Sequence, residues 1–228
     1  MWHGVNVVWP VDMPEYCTMS LSTSKDEILG KPKAVVVGLT GGMGAGKSVV
    51  AHILKSLGHP VFDADAVARS LYDRDDILLQ AVVDRFGPGI LHANGALNRL
   101  ELANVVFADP VALADLNRLV HPAVSRTFSQ WKSQEEMNGA DVVFREAAIL
   151  YESGSDQDCD VVWAVTAPVS LRLKRVCERN GWSQSAAAAR MAHQWPAEKV
   201  NAKADHVLTN DGNVSLVPLV LSLLKDLL

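Results

Sequence analysis

The sequence predicts an α/β fold, a parallel sheet flanked by helices, and three observations lead there. The stretch Gly41-Gly42-Met43-Gly44-Ala45-Gly46-Lys47-Ser48 fits G-x-x-x-x-G-K-[ST] at every fixed position. An uninterrupted apolar run, Ala34 to Leu39, precedes it, as a strand buried on both faces requires. Short apolar runs then alternate with helical patterns along the rest of the chain, which implies parallel strands joined by right-handed crossovers.

The central loop carries the chemistry. Its glycines let the backbone curl so that successive N–H groups point inward and meet phosphate oxygens without interference from side chains. The helix that follows adds the positive end of its dipole. Its apolar residues Val50, Ile53, Leu54 and Leu57 recur on one face, and Gly58 stops it. Strand, loop and helix together make a P-loop NTPase-type sheet. In it Gly42 to Gly46 cradle the phosphates, Lys47 meets the β- and γ-phosphates of a nucleotide, and Ser48 offers its hydroxyl to Mg²⁺.

His59 to Asp65 reads as a short strand ending in two carboxylates, Asp63 and Asp65, at i and i+2. In an open α/β sheet, ligands gather beyond the carboxyl ends of the strands. Alternating residues need not both face the site: one can meet a substrate while the other caps the next helix, and the sequence leaves open which.

Residues 66–138 are helical in pattern, punctuated by Phe86-Gly87-Pro88-Gly89 and Asn94-Gly95. Asp109-Pro110 reads as N-cap and first helical residue, and His121-Pro122 as the break that ends that helix. Val124, Phe128 and Trp131 resume the spacing, and Gly139 closes it. So much helix is long for one crossover, and it reads as a helical insertion placed to recognise an acceptor. Asp141 to Phe144 begins the next strand, ending near Arg145 and Glu146, and Val161 to Val165 forms another.

Arg172, Arg175 and Arg179 then fall on one helix face, Asn180-Gly181 ends it, and Ser183 caps a second helix. The pair, residues 169–196, reads as a lid that brings arginine over a transferring phosphate. A solvated basic face is the plainer alternative. His206 to Thr209 is a last strand, Asn210-Asp211-Gly212 a turn, and Leu216, Val220, Leu223 and Leu227 line one face of a closing helix.

Composition bounds the rest. At 228 residues with 49% hydrophobic residues, the chain holds one sizeable core with room for an insertion. A net charge of −5 disfavours a nucleic-acid-binding surface, and no apolar run reaches membrane-span length. Cys17, Cys159 and Cys177 suggest neither a disulfide framework nor a zinc site and fit a reducing, cytoplasmic setting. Residues 1–33 read as a loose tail outside the 34–228 domain, or as sequence ahead of a true start at Met13 or Met19. No obligate protein partner is expected.

Assembled in order, these pieces resemble the dephospho-CoA kinase family over roughly Val35 to Leu224. The resemblance rests on Gly38 to Ser48, Asp63-Ala64-Asp65 with Ala68-Arg69, Leu97-Asn98-Arg99, Val106-Phe107, His121-Pro122, Ile149-Leu150-Tyr151-Glu152, the Arg172 to Arg179 helix, and Ala204-Asp205 through Asn210-Asp211-Gly212. It implies transfer of the γ-phosphoryl of ATP, with Mg²⁺, to the ribose 3′-hydroxyl of dephospho-CoA. Asp65 would be the catalytic carboxylate, aided by Lys47 and Arg179. The loop, Arg172 and Asn210 would serve ATP, with Asn210 toward the adenine. Asp63, Asp65, Arg69 and His121 would serve the acceptor, the 66–138 insertion would bind CoA, and Ser48 would hold the metal.

Two departures stand out: Val49 where many relatives have Thr, and Ala148-Ile149-Leu150 where many have Pro-Leu-Leu. Neither removes a catalytic group. A nucleoside monophosphate kinase shares the loop, insertion and lid, and a nucleotide-dependent switch shares the loop. The acidic pair and the arginines favour chemistry over switching.

Overall fold

The first strand, β1 (Val35–Thr40), lies in the middle of the sheet and aims its carboxyl end at the glycine loop. The computed structural model describes residues 33 to 227, so the tail expected over residues 1–33 lies outside the described residues except for Lys33. From the loop the chain enters α1 (Lys47–Ser56), crosses to β2 (Val61–Asp63) and turns at once into α2 (Ala64–Leu71). Three more helices follow, α3 (Asp76–Phe86), α4 (Arg99–Ala108) and α5 (Pro110–Met137). The chain returns through β3 (Val142–Glu146) and β4 (Val161–Thr166). Then come α6 (Val169–Asn180), α7 (Gln184–Met191), α8 (Ala197–Lys203), β5 (His206–Thr209) and α9 (Leu216–Leu227).

The pairings within this sheet are all parallel, in the order β2-β3-β1-β4-β5. The connection leaving β1 runs toward β2, while the one leaving its neighbour β3 runs the other way to β4, so the loop lies at the reversal point where ligands collect in such sheets. The two-residue period of the strands divides the core in two. Val37, Leu39, Phe144, Trp163 and Val165 face α1 and α9. Val36, Phe62, Val143 and Ala164 face the helical insertion, in which α5 packs on α2, α3 and α4. Each fully buried large side chain, Leu54 or Leu39 for example, contributes about 1.5–3 kcal/mol by leaving water.

The local signals work as read at most joints. Asp109 Oδ1 accepts from Val111 N with Pro110 opening α5, Ser183 caps α7 through Ala186 N, and Gly181 ends α6 at φ 66°. One reading is corrected. Pro122 does not break the helix, because α5 runs 28 residues straight through it. Proline forfeits one backbone hydrogen bond and strains the preceding turn. Val120, Ala123, Val124 and Phe128 are all buried around it, and their burial against the insertion core offsets that cost.

Candidate active site

The loop is shaped from both sides. Gly41, Gly44 and Gly46 adopt positive φ, where side chains are strained. A Cβ at Gly42 would run into the Arg172 guanidinium, and one at Gly46 into the Asn210 amide. These neighbours hold the loop's carbonyls: Arg172 Nε donates to Met43 O (3.0 Å) and Asn210 Nδ2 to Ala45 O (2.9 Å). Arg175 Nη1 in turn donates to Asn210 O at 3.2 Å. Within the loop itself Ala45 N donates to Gly42 O at 3.0 Å. No side chain caps α1.

Lys47 folds back over this loop, its Nζ donating to Gly41 O at 2.8 Å. Burial pulls its pKa down, Asp65 and Glu146 push it back up, and Arg172 and Arg179 oppose them. The two aspartates divide their labour. Asp63 Oδ1 accepts from Ala66 N at 2.8 Å and caps α2, while also bordering the cavity. Asp65 lies not at the strand end, as the sequence suggested, but in the first turn of α2. Asp63 pairs in register with Glu146 at the end of β3. Burial raises the pKa of Asp65; Lys47 opposes this, Asp63 reinforces it, and the Ala148 amide and Arg69 oppose it. Glu146 is raised likewise, first by burial and then by Asp63, with Lys47 opposing.

Two cavities result. The larger, about 650 Å³, runs along the loop past Lys47, Ser48, Asp63, Arg69, Arg179 and Asn210. The smaller, about 190 Å³, opens into the helical insertion beside Tyr72, Asn117, His121 and Arg145. Asp65 lines both. Burial, then Arg145, lowers the pKa of His121, so the imidazole faces this pocket neutral at pH 7. Arg145 is only 2% exposed. Its Nη1 donates to Asp158 at 2.7 Å and its Nη2 to Ser155 Oγ at 3.1 Å, and its guanidinium lies 4.6 Å from the centre of the Phe128 ring.

The three arginines of α6 do not form one exposed face. Arg175 and Arg179 border the larger cavity. Arg172 is 6% exposed and sits behind the loop, on Met43 O, rather than among the cavity's lining residues. Sequence reasoning missed Gln194, which borders the cavity and accepts from Met43 N at 2.7 Å. No motif or periodicity marks a single Gln in a polar connector. It also missed Tyr72 and the ion pair of Arg145 with Asp158, formed by residues 13 apart across a turn. Burial pushes the Cys159 thiol up to about 12, and its side chain packs against the core on the insertion side.

The family model for dephospho-CoA kinase matches residues 35–215. A dephospho-CoA kinase of Syntrophotalea carbinolica is 37% identical over 79% of this chain and 85% of its own length. One from Chlorobaculum tepidum is 39% identical over 79% of this chain and 88% of its own. Among solved structures, TT1252 from Thermus thermophilus superposes with a TM-score of 0.76 at 34% identity, covering 86% of this chain and 98% of its own. The dephospho-CoA kinase of Campylobacter jejuni shares the fold, with a TM-score of 0.62 at 24% identity.

Proposed function

This chain belongs to the dephospho-CoA kinase family, and from that premise we propose how its own residues carry out the reaction. The protein is an ATP-dependent kinase of coenzyme A biosynthesis: it moves the γ-phosphoryl of ATP to the ribose 3′-hydroxyl of dephospho-CoA, giving CoA and ADP. The observation that carries the residue assignment is Asp65, which lines both cavities. ATP occupies the larger with its phosphates on the loop. Dephospho-CoA reaches Asp65 from the helical insertion of residues 66–138, with His121 and Arg69 contacting it. Asp65 accepts or orients the hydroxyl proton as the oxygen attacks phosphorus in line. Lys47 bridges the β- and γ-phosphates, and Arg179 meets the charge that spreads over the transferring group. Asn210 serves the nucleotide by holding the loop at Ala45.

The donors near the loop are all oxygen: the Ser48 hydroxyl and the carboxylates of Asp63, Asp65 and Glu146. Among the described residues no three His, Cys, Asp or Glu side chains are grouped to hold a metal ion. The oxygen donors fit Mg²⁺, which keeps water and phosphate oxygens and takes few protein ligands. When bound, Mg²⁺ neutralises phosphate charge, and Ser48 holds it. A reducing, cytoplasmic setting belongs to the same reading, supported by the free thiols of Cys159 and Cys177.

The lid, residues 169–196, separates into two roles that mutation distinguishes. Arg179→Ala is expected to lower kcat about 10²-fold with an unchanged melting temperature, since Arg179 is exposed and borders the cavity. Arg172→Ala is expected to destabilise the fold by about 1.5–3 kcal/mol by removing a charged donor from Met43 O. Thermal melts beside steady-state rates check both. The function itself is tested by ADP release from ATP and Mg²⁺ with dephospho-CoA, AMP, CMP or no acceptor, with products identified by mass. Release that depends on dephospho-CoA and yields CoA is the expected result. Release that depends on a nucleoside monophosphate would overturn the acceptor.

A further inference from the structure

The Met43 peptide is held on both edges. Its carbonyl accepts from Arg172, and its N–H donates to Gln194 Oε1 at 2.7 Å. Loop N–H groups are what such a loop offers to phosphate oxygens. The carboxamide oxygen therefore takes an acceptor's place on one of them, at the wall of the larger cavity. The other end of the same side chain, Nε2, donates to Ala148 O at 3.1 Å. Ala148 lies two residues past β3, and its own amide acts on the Asp65 carboxylate. One side chain thus spans from the phosphate loop to the peptide beside Asp65. The next residue is anchored to the same segment independently. Trp195 N donates to Glu152 Oε1 at 2.9 Å, and the Trp195 ring stacks on Tyr151 with centroids 5.9 Å apart. These ties keep the backbone of Gln194 in place when its side chain is changed.

We propose that Gln194 is a positioning residue that couples the two substrate sites. Its carboxamide oxygen competes with a phosphate oxygen for the Met43 N–H, and when displaced it shifts the Ala148 peptide, which lines the larger cavity beside Asp65 and is flanked by Ala147 and Ile149 on the wall of the smaller one. The inference rests on the reading of the larger cavity as the ATP site. Coupling of this kind is reciprocal, so dephospho-CoA changes ATP affinity by the same factor that ATP changes dephospho-CoA affinity.

The test is the affinity of a non-hydrolysable ATP analogue with Mg²⁺, with and without dephospho-CoA, for the full chain and for Gln194→Ala, Gln194→Met and Gln194→Glu. Without acceptor, the Ala and Met variants are expected to bind the analogue about 2- to 10-fold more tightly, because no hydrogen bond must first be broken. The ratio of affinities with and without acceptor falls toward one in both. Glu keeps the oxygen on Met43 N–H, adds negative charge against the phosphates and cannot donate to Ala148, so it binds the analogue more weakly than wild type. A merely structural role predicts weaker binding in Ala and Met. That result, unchanged binding there, or a wild type whose substrates ignore each other, overturns the proposal. Wild-type turnover with ATP and dephospho-CoA is measured alongside. Absent turnover means the kinase reading has failed, whereas normal turnover with unaltered coupling in the variants means the role of Gln194 has failed.

Discussion

Asp65→Asn is expected to lower kcat about 10²- to 10⁴-fold, the range lost when a positioned acid or base is removed. The substitution keeps the size of the side chain and a hydrogen-bonding oxygen, and takes away the charge that can accept a proton. Loss should appear in kcat more than in the KM for either substrate, because Asp65 stands between the two cavities rather than deep in one. The stability consequence has the opposite sign. Burial raises the folded-state pKa of Asp65 above its unfolded value. A raised carboxyl contributes stability below the unfolded pKa and loses it as pH rises through the folded pKa. At neutral pH the charged Asp65 is therefore a cost of function, and Asn removes that cost. Lys47 loses one counter-charge but keeps Glu146. A melting temperature at pH 7 equal to or above wild type, beside the lost turnover, is the expected pair. The acid limb of kcat/KM for dephospho-CoA at saturating ATP should also lie above the ordinary aspartate range and disappear in the variant. Near-normal turnover in Asp65→Asn would remove Asp65 from this role.

The sequence made the frame of this site legible because local rules act there without competition. The loop pattern needs only its own glycines, Lys47 and Ser48, and β1 needs only an apolar run. Caps such as Asp109 and Ser183 are satisfied within three residues. Where long-range packing decides, the sequence was silent or misleading. Pro122 obeys the local rule for a helix breaker, yet the burial of Val120, Ala123, Val124 and Phe128 carries α5 through it. Arg172, Arg175 and Arg179 share a helical face by spacing, but α6 lies so close behind the loop that Arg172 becomes a buried support. The choice between Asp63 and Asp65 needed the exact start of α2. Gln194 reaches Met43 across 151 residues of chain, and only the folded arrangement brings them together.

Lys47→Ala carries the second large effect, an expected loss of at least about 10²- to 10³-fold in kcat/KM for ATP. Lys47 is the cation that acts most strongly on both Asp65 and Glu146, and both act on it in return. Without it, a triphosphate entering the larger cavity would face Asp63, Asp65 and Glu146, with Arg69 and, from α6, Arg175 and Arg179 as the remaining cations among the lining residues. Both binding and transfer suffer, so KM should rise and kcat fall, in contrast to the kcat-centred loss at Asp65. The pH profile separates them further. Burial lowers the pKa of Lys47, so wild-type activity should decline on the alkaline side below the range of a free lysine. The stability term again runs against function. A base with a depressed folded pKa contributes stability above its unfolded pKa and loses it as pH falls through the folded value, so at pH 7 the charged ammonium is held at a cost. Removing it relieves that cost but leaves Asp65 and Glu146 repelling each other, which raises both of their pKa values. Lys47→Ala is therefore expected to move the acid limb of its residual activity to higher pH, a shift that Lys47→Arg, which restores the charge, should reverse. An acid limb at the wild-type position in Lys47→Ala would show that Lys47 does not hold the carboxylate cluster in its charged form.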